Sequence, residues 1–214
     1  NNPGVKVVFA GTRQIYGVPD YLPVDERHLV HPTDVNGINK VAGEWYHIVY
    51  NHVYGVRATS LRLTNTYGPR MRVCDARQTF LGLWLRIIVE GRELAIYGDG
   101  RQVRDFNHVD DVIDALLRAA VDDQANGQVY NLGGDEPINL VHLAQLLVEV
   151  AGKGSYKLVS WPDKRKRIDI GDYYGDYRKI RSKLGWCPRV SLEEGLRRTL
   201  AFYEEHQQHY WDPE

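Results

Sequence analysis

Three residues of this chain combine types and spacing that could do chemistry: Thr12, Asn36 and Lys40. Asn36 and Lys40 are four residues apart in a segment with a helical pattern, and that spacing puts both side chains on one helix face. The lysine ammonium and the threonine hydroxyl can donate hydrogen bonds, whereas an asparagine amide has no proton to exchange near neutral pH. Asn36 therefore cannot act as a general base. An isolated helix lysine is usually solvated, so the role of Lys40 depends on its surroundings.

Strands and helices alternate along the chain and would position these residues. Short runs rich in apolar and β-branched residues predict strands at Val5 to Ala10, Arg57 to Leu63 and Gln128 to Leu132. Helical patterns cover about Gly37 to Tyr54, Thr79 to Glu90, Val109 to Ala120 and Leu140 to Ala151, and a capping box at Ser191 and Glu194 opens a helix to about His206. A strand–turn–strand is predicted around Gly98-Asp99-Gly100, and Gly11 to Asp34 is predicted to be a loop. This alternation predicts an α/β protein with a parallel sheet.

The composition is that of an ordinary globular protein, with 43% hydrophobic and 26% charged residues. A formal net charge of -1 gives no general attraction to nucleic acid or to an anionic membrane. No apolar run approaches the roughly 20 residues that span a bilayer, and Asn1 to Gly4 do not resemble an export signal. The two cysteines, Cys74 and Cys187, lack a CxxC spacing, which disfavours a disulfide scaffold and favours a cytoplasmic location.

Two further patterns argue against other functions. His108 has no partner at metal-ligand spacing, and the chain has no GxSxG sequence, so a zinc site and a serine hydrolase are both disfavoured. The basic run at positions 164–167 is short and lies between Asp163 and Asp169, which favours a solvated loop with one ligand arginine over a nucleic-acid site.

Five stretches in the right order resemble the extended short-chain dehydrogenases that act on nucleotide sugars. They are Gly11 to Gly17 (GTRQIYG), Asn36 to Lys40 followed by Glu44, Leu61 to Arg70 (LRLTNTYGPR), Ile96 to Asp111 with its IYGDG and RDF sequences, and Lys183 to Gly195. The resemblance implies a Rossmann-type parallel sheet, joined to a smaller C-terminal α/β substrate domain, and NAD as the cofactor.

The resemblance also assigns roles to individual residues. The family takes a hydride from a sugar carbon onto NAD while a tyrosine, activated by a lysine four residues later, removes the hydroxyl proton. By resemblance, Thr12 would bond the reacting sugar hydroxyl, and Lys40 would hold the ribose hydroxyls of the nicotinamide half. Ala10 and Thr66 would also contact the cofactor.

Asn36 departs from the family because it stands where the tyrosine is expected. The protein could use another base, with Tyr16 and Asp34 as candidates, although Tyr16 could equally be a packed loop aromatic. It could instead bind its ligand with little or no turnover. A shifted register would also explain the asparagine, but Gly37, Lys40 and Glu44 fall where the family has them.

A second departure concerns the reaction. Family members that dehydrate the sugar carry an acidic pair after the threonine, where this chain has Arg13 and Gln14. Neither side chain exchanges a proton at neutral pH, so 4,6-dehydration is disfavoured. Epimerisation remains open, as does oxidation coupled to decarboxylation. Arg13 could pair with an anionic sugar such as a uronic acid, or it could be an exposed loop arginine.

The resemblance implies a nucleotide-diphosphate sugar as the substrate. Asn65 would contact the diphosphate or the sugar, and Tyr97 would lie near the nucleobase. Arg104, Arg167 and Asp169 would hold phosphate and ribose, since the arginine fork suits phosphate.

A dinucleotide-binding fold begins with a glycine-rich turn, and no GxGxxG sequence stands in that context here. We therefore expect that roughly 100 residues precede this chain in the intact fold and that residues 1–214 alone bind NAD weakly. The predicted domains are the second half of the NAD-binding domain at 1–66 and a mainly substrate-binding domain at 67–214, with about 104–133 returning to the first.

A homodimer is also expected. In the family, two long helices from each subunit form a four-helix bundle, and one of them is the helix that contains Lys40. This helix carries an apolar stripe wide enough for both core and partner: Val41, Trp45, Ile48, Val49 and His52.

Overall fold

The computed structural model describes residues 4–75, 79–162 and 169–211. Within these ranges the strands are β1 Lys6–Thr12, β2 Arg57–Leu63, β3 Asn65–Tyr67, β4 Glu93–Tyr97, β5 Val103–Arg104, β6 Phe106–His108, β7 Val129–Asn131, β8 Ile138–Asn139 and β9 Ser155–Val159. The α-helices are α1 Val35–Tyr54, α2 Phe80–Val89, α3 Val109–Val121, α4 Leu140–Ala151, α5 Arg178–Leu184 and α6 Leu192–Tyr210. Short 3-10 turns cover Arg13–Ile15 and Asp123–Ala125.

A parallel three-stranded sheet with the order β1-β2-β7 confirms the α/β class. Strand side chains alternate between faces, and the two faces of β2 meet different helices. Leu61 packs into the apolar cluster that includes Val112 and Ala115 of α3, while its neighbours Ser60 and Arg62 bond to Glu44 of α1. Both faces of the strand are therefore covered, as in doubly wound folds.

The other strands pair in three small sheets. β3 pairs with β6 and β4 with β9, both in parallel, while β5 pairs with β8 in antiparallel fashion. The strands on either side of the predicted turn at 98–100 thus bond to different partners instead of to each other. The sequence pattern did not predict β9, because its side chains are mostly exposed and form no clear apolar run.

A second apolar core joins α2, α4 and α6 to β4. Its fully buried members include Leu85, Leu94, Leu147 and Leu196. It is distinct from the cluster of β2, α3 and α5 around Leu61. The predicted division at about residue 66, with 104–133 returning to the first domain, stays a prediction.

The predicted helix boundaries are close to those observed. Asp34 caps α1 by accepting a hydrogen bond from the Gly37 amide at 2.6 Å, so this helix begins two residues before the predicted start. Ser191 caps α6 by accepting from the Glu194 amide at 3.3 Å, as the capping box predicts. None of the helices in the described ranges is long and apolar enough to cross a membrane.

A buried ion pair fastens α1 to the sheet. Glu44 accepts hydrogen bonds from Arg62 at 2.6 and 3.0 Å and from the Ser60 hydroxyl at 2.9 Å. Arg62 also donates to the Tyr16 hydroxyl at 2.6 Å, and that hydroxyl donates to Asn131 at 2.6 Å. One network therefore connects α1, β2, the end of the first 3-10 turn and β7.

We expect Glu44→Gln to destabilise the protein by about 3–5 kcal/mol, because it leaves the Arg62 charge buried without its counter-ion. The measurement is the free energy of unfolding in denaturant. The matched control is Glu149→Gln on the exposed side of α4, expected to change stability by less than about 0.5 kcal/mol. Similar small losses in both variants would contradict this account of the ion pair.

Candidate active site

Lys40 lies at the carboxyl end of β1. Its ammonium donates a hydrogen bond to the exposed Ala10 carbonyl at 2.7 Å and lies 5.1 Å from the centre of the Phe9 ring. The Asp34 cap fixes the start of α1, so Lys40, one and a half turns further on, faces the strand. In open α/β sheets, ligands bind outside the carboxyl ends of the strands, which is where this lysine lies.

Asn36 belongs to a chain of hydrogen-bonded side chains, which we call the amide chain: Asp34, Gln14, Asn36 and Thr12. Asn36 Nδ2 donates to Gln14 Oε1, and Gln14 Nε2 donates to Asp34 Oδ2 at 3.0 Å. The Thr12 hydroxyl donates to Gln14 Oε1 at 3.5 Å and accepts from the backbone N–H of Gln14 at 3.3 Å. Two neutral amides therefore stand beside the threonine, and Asp34 is the one carboxyl group among the four side chains.

Tyr16, one candidate for a relocated base, is fully buried beneath the site. Burial raises the pKa of its phenol to about 12, although the neighbouring Arg62 charge and the hydrogen bonds from Arg62 and to Asn131 oppose that shift. The hydroxyl is thus protonated and engaged at neutral pH. These contacts fit a packed aromatic and argue against Tyr16 as the base.

Asp34, the other candidate for the base, is exposed and caps the start of α1. Its two carboxylate oxygens accept from the Gly37 amide, as the helix cap, and from Gln14. It remains the ionisable member of the amide chain.

Arg13 is half-buried between Tyr173 and Asn65, so it is not an exposed loop arginine. Its guanidinium carbon lies 4.8 Å from the centre of the Tyr173 ring, and Nη2 contacts Asn65 Oδ1 at 3.5 Å. Asn65 is held in turn by a hydrogen bond from its Nδ2 to the Asp105 carbonyl at 2.9 Å. Burial lowers the pKa of Arg13, while Tyr173 and Asp105 oppose that shift.

Arg104 and Asp169, which the family resemblance assigns to the phosphate and ribose, contact each other. Arg104 is buried and donates to Asp169 at 3.2 Å, to the Val103 carbonyl at 2.9 Å and to the Gly171 carbonyl. Burial, and then the nearby Arg13 charge, lower its pKa. Arg167 and the basic run 164–167 lie outside the described residues.

Tyr97, at the end of β4, stacks at an angle on Trp161, with ring centres 5.7 Å apart. Gly98 between them has φ 75°, and a Cβ there would lie 2.2 Å from the Trp161 indole nitrogen, so only glycine fits this turn. Sequence reasoning missed Trp161, because its pairing with Tyr97 depends on the parallel β4–β9 contact.

Asp105 is a second residue that sequence reasoning passed over. Its fully buried carboxylate accepts from the Thr64 hydroxyl, from the Gly175 amide at 2.9 Å and from the Gly134 amide at 3.3 Å. Burial raises the pKa of this carboxyl group, while these three hydrogen bonds lower it. The contacts hold the loop that carries Tyr173 against the end of β2.

Thr66 lies on β3, directly after Asn65. Its hydroxyl donates to the Thr64 carbonyl at 3.4 Å, and the residue lines a cavity of about 670 Å³ with His108, Val109, Arg198 and Phe202. His108 caps α3 by accepting from the Asp110 amide at 3.3 Å. No group of three or more acidic, histidine or cysteine side chains in the described ranges is arranged to hold a metal ion.

We expect Tyr16→Phe to lower the free energy of unfolding by about 1–3 kcal/mol, because Arg62 and Asn131 lose a buried partner. The wild-type phenol stays protonated between about pH 6 and 9, so its removal should leave the pH dependence of ligand binding and of turnover unchanged over that range. Denaturant unfolding and pH titrations of both properties test this, with the exposed Tyr46→Phe as control. A folded Tyr16→Phe protein of unchanged stability but no turnover would restore Tyr16 as the base.

Comparison with known proteins finds a matching family and several similar chains. The protein family described as GDP-mannose 4,6 dehydratase matches residues 1–199. The UDP-glucose 4-epimerase of Mycolicibacterium smegmatis is 30% identical over 193 residues, which cover 88% of this chain and 59% of the relative.

Two solved structures have a similar fold. The UDP-glucose 4-epimerase of Thermotoga maritima, solved with UDP-glucose, is 33% identical with a TM-score of 0.83, over 95% of this chain and 65% of the other. The dTDP-glucose 4,6-dehydratase of Streptomyces venezuelae, solved with NAD bound, is 26% identical with a TM-score of 0.84, over 97% and 62%. The chain thus spans 59–65% of the length of these three relatives.

Proposed function

Because this chain belongs to the GDP-mannose 4,6-dehydratase family, within the extended short-chain dehydrogenases, we propose that it forms part of an NAD-dependent nucleotide-sugar epimerase with slow hydride transfer. The observation that carries the proposal is the joint position of Thr12 and Lys40 at the carboxyl end of β1, with the neutral Asn36 beside them. The binding groups are present, whereas position 36 offers no proton acceptor.

The residues present fit the nicotinamide half of NAD. Lys40 has three N–H donors, of which one is directed at the Ala10 carbonyl, so two could bond ribose hydroxyls. Ala10 is exposed beside it, and we assign Thr66 to the same cofactor. When bound, NAD would supply the hydride acceptor. The NAD-bound dehydratase of Streptomyces venezuelae supports this choice of cofactor.

We assign the nucleotide sugar to the side of the site that contains Asn65 and Arg104. Asn65 would contact the sugar or diphosphate, Tyr97 the nucleobase, and Arg104 with Asp169 the phosphate and ribose; Arg167 is assigned with them although it lies outside the described residues. The ring pair of Tyr97 and Trp161 supports a base-binding role, since aromatic faces stack on nucleobases.

The amide chain favours epimerisation over dehydration. Removing water across adjacent sugar carbons needs groups that give and take protons, and Arg13 and Gln14 do neither at neutral pH. The Gln14 amide is also occupied by Asn36 and Asp34. An oxidation coupled to decarboxylation needs no such pair and remains compatible with these residues.

A second candidate mechanism uses Asp34 as the proton acceptor. It is favoured by one observation: Asp34 is the ionisable side chain of the amide chain, held two hydrogen bonds from Thr12 by Gln14, so under this mechanism it takes the sugar proton directly or through one water and not through the Gln14 amide. Under this mechanism the wild type is an active epimerase, and Asp34→Asn abolishes turnover. Under the first mechanism Asp34→Asn leaves the already slow rate nearly unchanged. A protein that binds the nucleotide sugar without any turnover is the limiting case of the first mechanism.

We expect Asn36→Tyr to raise hydride transfer by about 100-fold or more, because a phenol beside Lys40 and Thr12 supplies the missing base. The rate should increase with pH as the phenol ionises. The assay is reduction of NAD and epimer formation by the full-length protein, over a panel of nucleotide sugars.

Two matched variants serve as controls. Asn36→Phe adds the ring without the hydroxyl, and Asn39→Tyr adds a tyrosine at an exposed position of the same helix. Both should stay at the wild-type rate. A rate that falls in Asn36→Tyr, together with an active wild type, would favour Asp34 or another group as the base.

We also propose that the protein is a homodimer joined through α1. Of the predicted stripe, Trp45, Val49 and His52 are exposed, while Val41 and Ile48 are partly buried. Ile38 and Val53 extend the exposed apolar surface along the helix. The cytoplasmic location and the domain division given above remain expectations of the same proposal.

Trp45→Lys should convert the full-length protein to a monomer at micromolar concentration, because it places a charge in the centre of the proposed contact. Light scattering measures the mass. The control, Leu29→Lys, changes an exposed apolar residue of the 13–34 segment and should leave the dimer intact. A wild type that is already monomeric would remove the proposed dimer.

A further inference from the structure

Arg13 has a spare hydrogen-bonding nitrogen inside the candidate site. Its Nη1 atom is buried and has no hydrogen-bond partner among the described residues. A buried guanidinium N–H without an acceptor is unfavourable, and such groups in native proteins call for an explanation. Nη2 makes only a long contact, at 3.5 Å to Asn65. Neither terminal nitrogen of the guanidinium fork is therefore fully satisfied within the protein.

Two neighbouring side chains hold Arg13 in place. One face of the guanidinium packs on Tyr173, and Asn65 lies beside Nη2. Arg13 directly follows Thr12, the residue assigned to the reacting sugar hydroxyl. Asn65, which Arg13 Nη2 contacts, is the residue assigned to the sugar or diphosphate, so a ligand group held by Arg13 would lie on the sugar side of the site.

The acidic side chains nearby are already engaged. The Asp105 carboxylate accepts from Thr64, Gly134 and Gly175, and the Asp169 carboxylate accepts from Arg104 and from the Gly171 amide. Arg104 differs from Arg13, because its terminal nitrogens are directed at two backbone carbonyls and at Asp169. Arg104 thus uses three of its five N–H donors within the protein, whereas Arg13 makes one long contact to Asn65, so Arg13 has more donors to spare.

We propose that the sugar bound here carries a carboxylate, as in a uronic acid, and that Arg13 Nη1 and Nη2 donate to its two oxygens. A carboxylate matches the planar guanidinium fork with two parallel hydrogen bonds. In a uronic acid the carboxylate is attached to C5. It therefore lies next to the C4 hydroxyl, which would be hydrogen-bonded to Thr12. The proposal rests on the proposed function, since it takes the Thr12 site as the sugar site. The ligand diphosphate is the other possible anion, and the experiment separates the two.

The test is calorimetric binding to the full-length protein, using UDP-glucuronate, UDP-glucose and UDP, with GDP-mannuronate, GDP-mannose and GDP as a parallel set. We expect the wild type to bind one of the uronates about 10- to 100-fold more tightly than the matching neutral sugar. Arg13→Met keeps an apolar stem for packing on Tyr173 and should abolish that preference while leaving the affinity for the nucleoside diphosphate unchanged. Arg13→Lys should retain part of the preference.

The control Arg27→Met removes the same charge from an exposed arginine of the 13–34 segment and should bind all ligands as the wild type does. Equal affinity of the wild type for uronate and neutral sugar overturns the inference, and this comparison needs no variant to fold. An equal loss for uronate, neutral sugar and nucleoside diphosphate in Arg13→Met assigns the arginine to the diphosphate and also overturns it. Failure of every ligand to bind the wild type would overturn the proposed function itself.

Discussion

The buried pair of Glu44 and Arg62 is the interaction on which the site depends. Arg62 is on the strand that leads to Asn65, Glu44 is on the helix that carries Asn36 and Lys40, and Tyr16 ends the turn that holds Arg13. A displaced pair would move all three segments relative to one another. Burying two charges costs desolvation energy that their attraction only partly offsets, so the pair specifies geometry more than it adds stability.

Local patterns were enough to predict the frame of the site. The strand at β2 and the helix at α1 follow from apolar periodicity, and the four-residue spacing puts Asn36 and Lys40 on one helix face. The shared position of Arg104 and Asp169 came from the family resemblance instead. Each of these inferences concerns residues close in sequence or motifs with a known order.

Contacts between distant segments were not predictable in the same way. The contact of Arg13 with Tyr173 joins residues 160 positions apart along the chain, and no periodicity encodes it. The β4–β9 pairing that brings Trp161 to Tyr97 likewise requires knowledge of the tertiary fold. The hydrogen bond between Asn36 and Gln14 was missed for another reason. Each of the two side-chain amides could bond to water instead of to the other. Their pairing therefore depends on backbone geometry that the sequence does not display.

The Asp105 carboxylate has a consequence for the order in which the chain folds. Its three partners lie 29, 41 and 70 residues away along the sequence, on segments that each belong to a different part of the fold. Contacts of such separation incur a large loop-closure entropy and form only after the local helices and strands are in place. The end of β2 and the loop that carries Tyr173, which Asp105 joins, should therefore be among the last regions to assemble during folding.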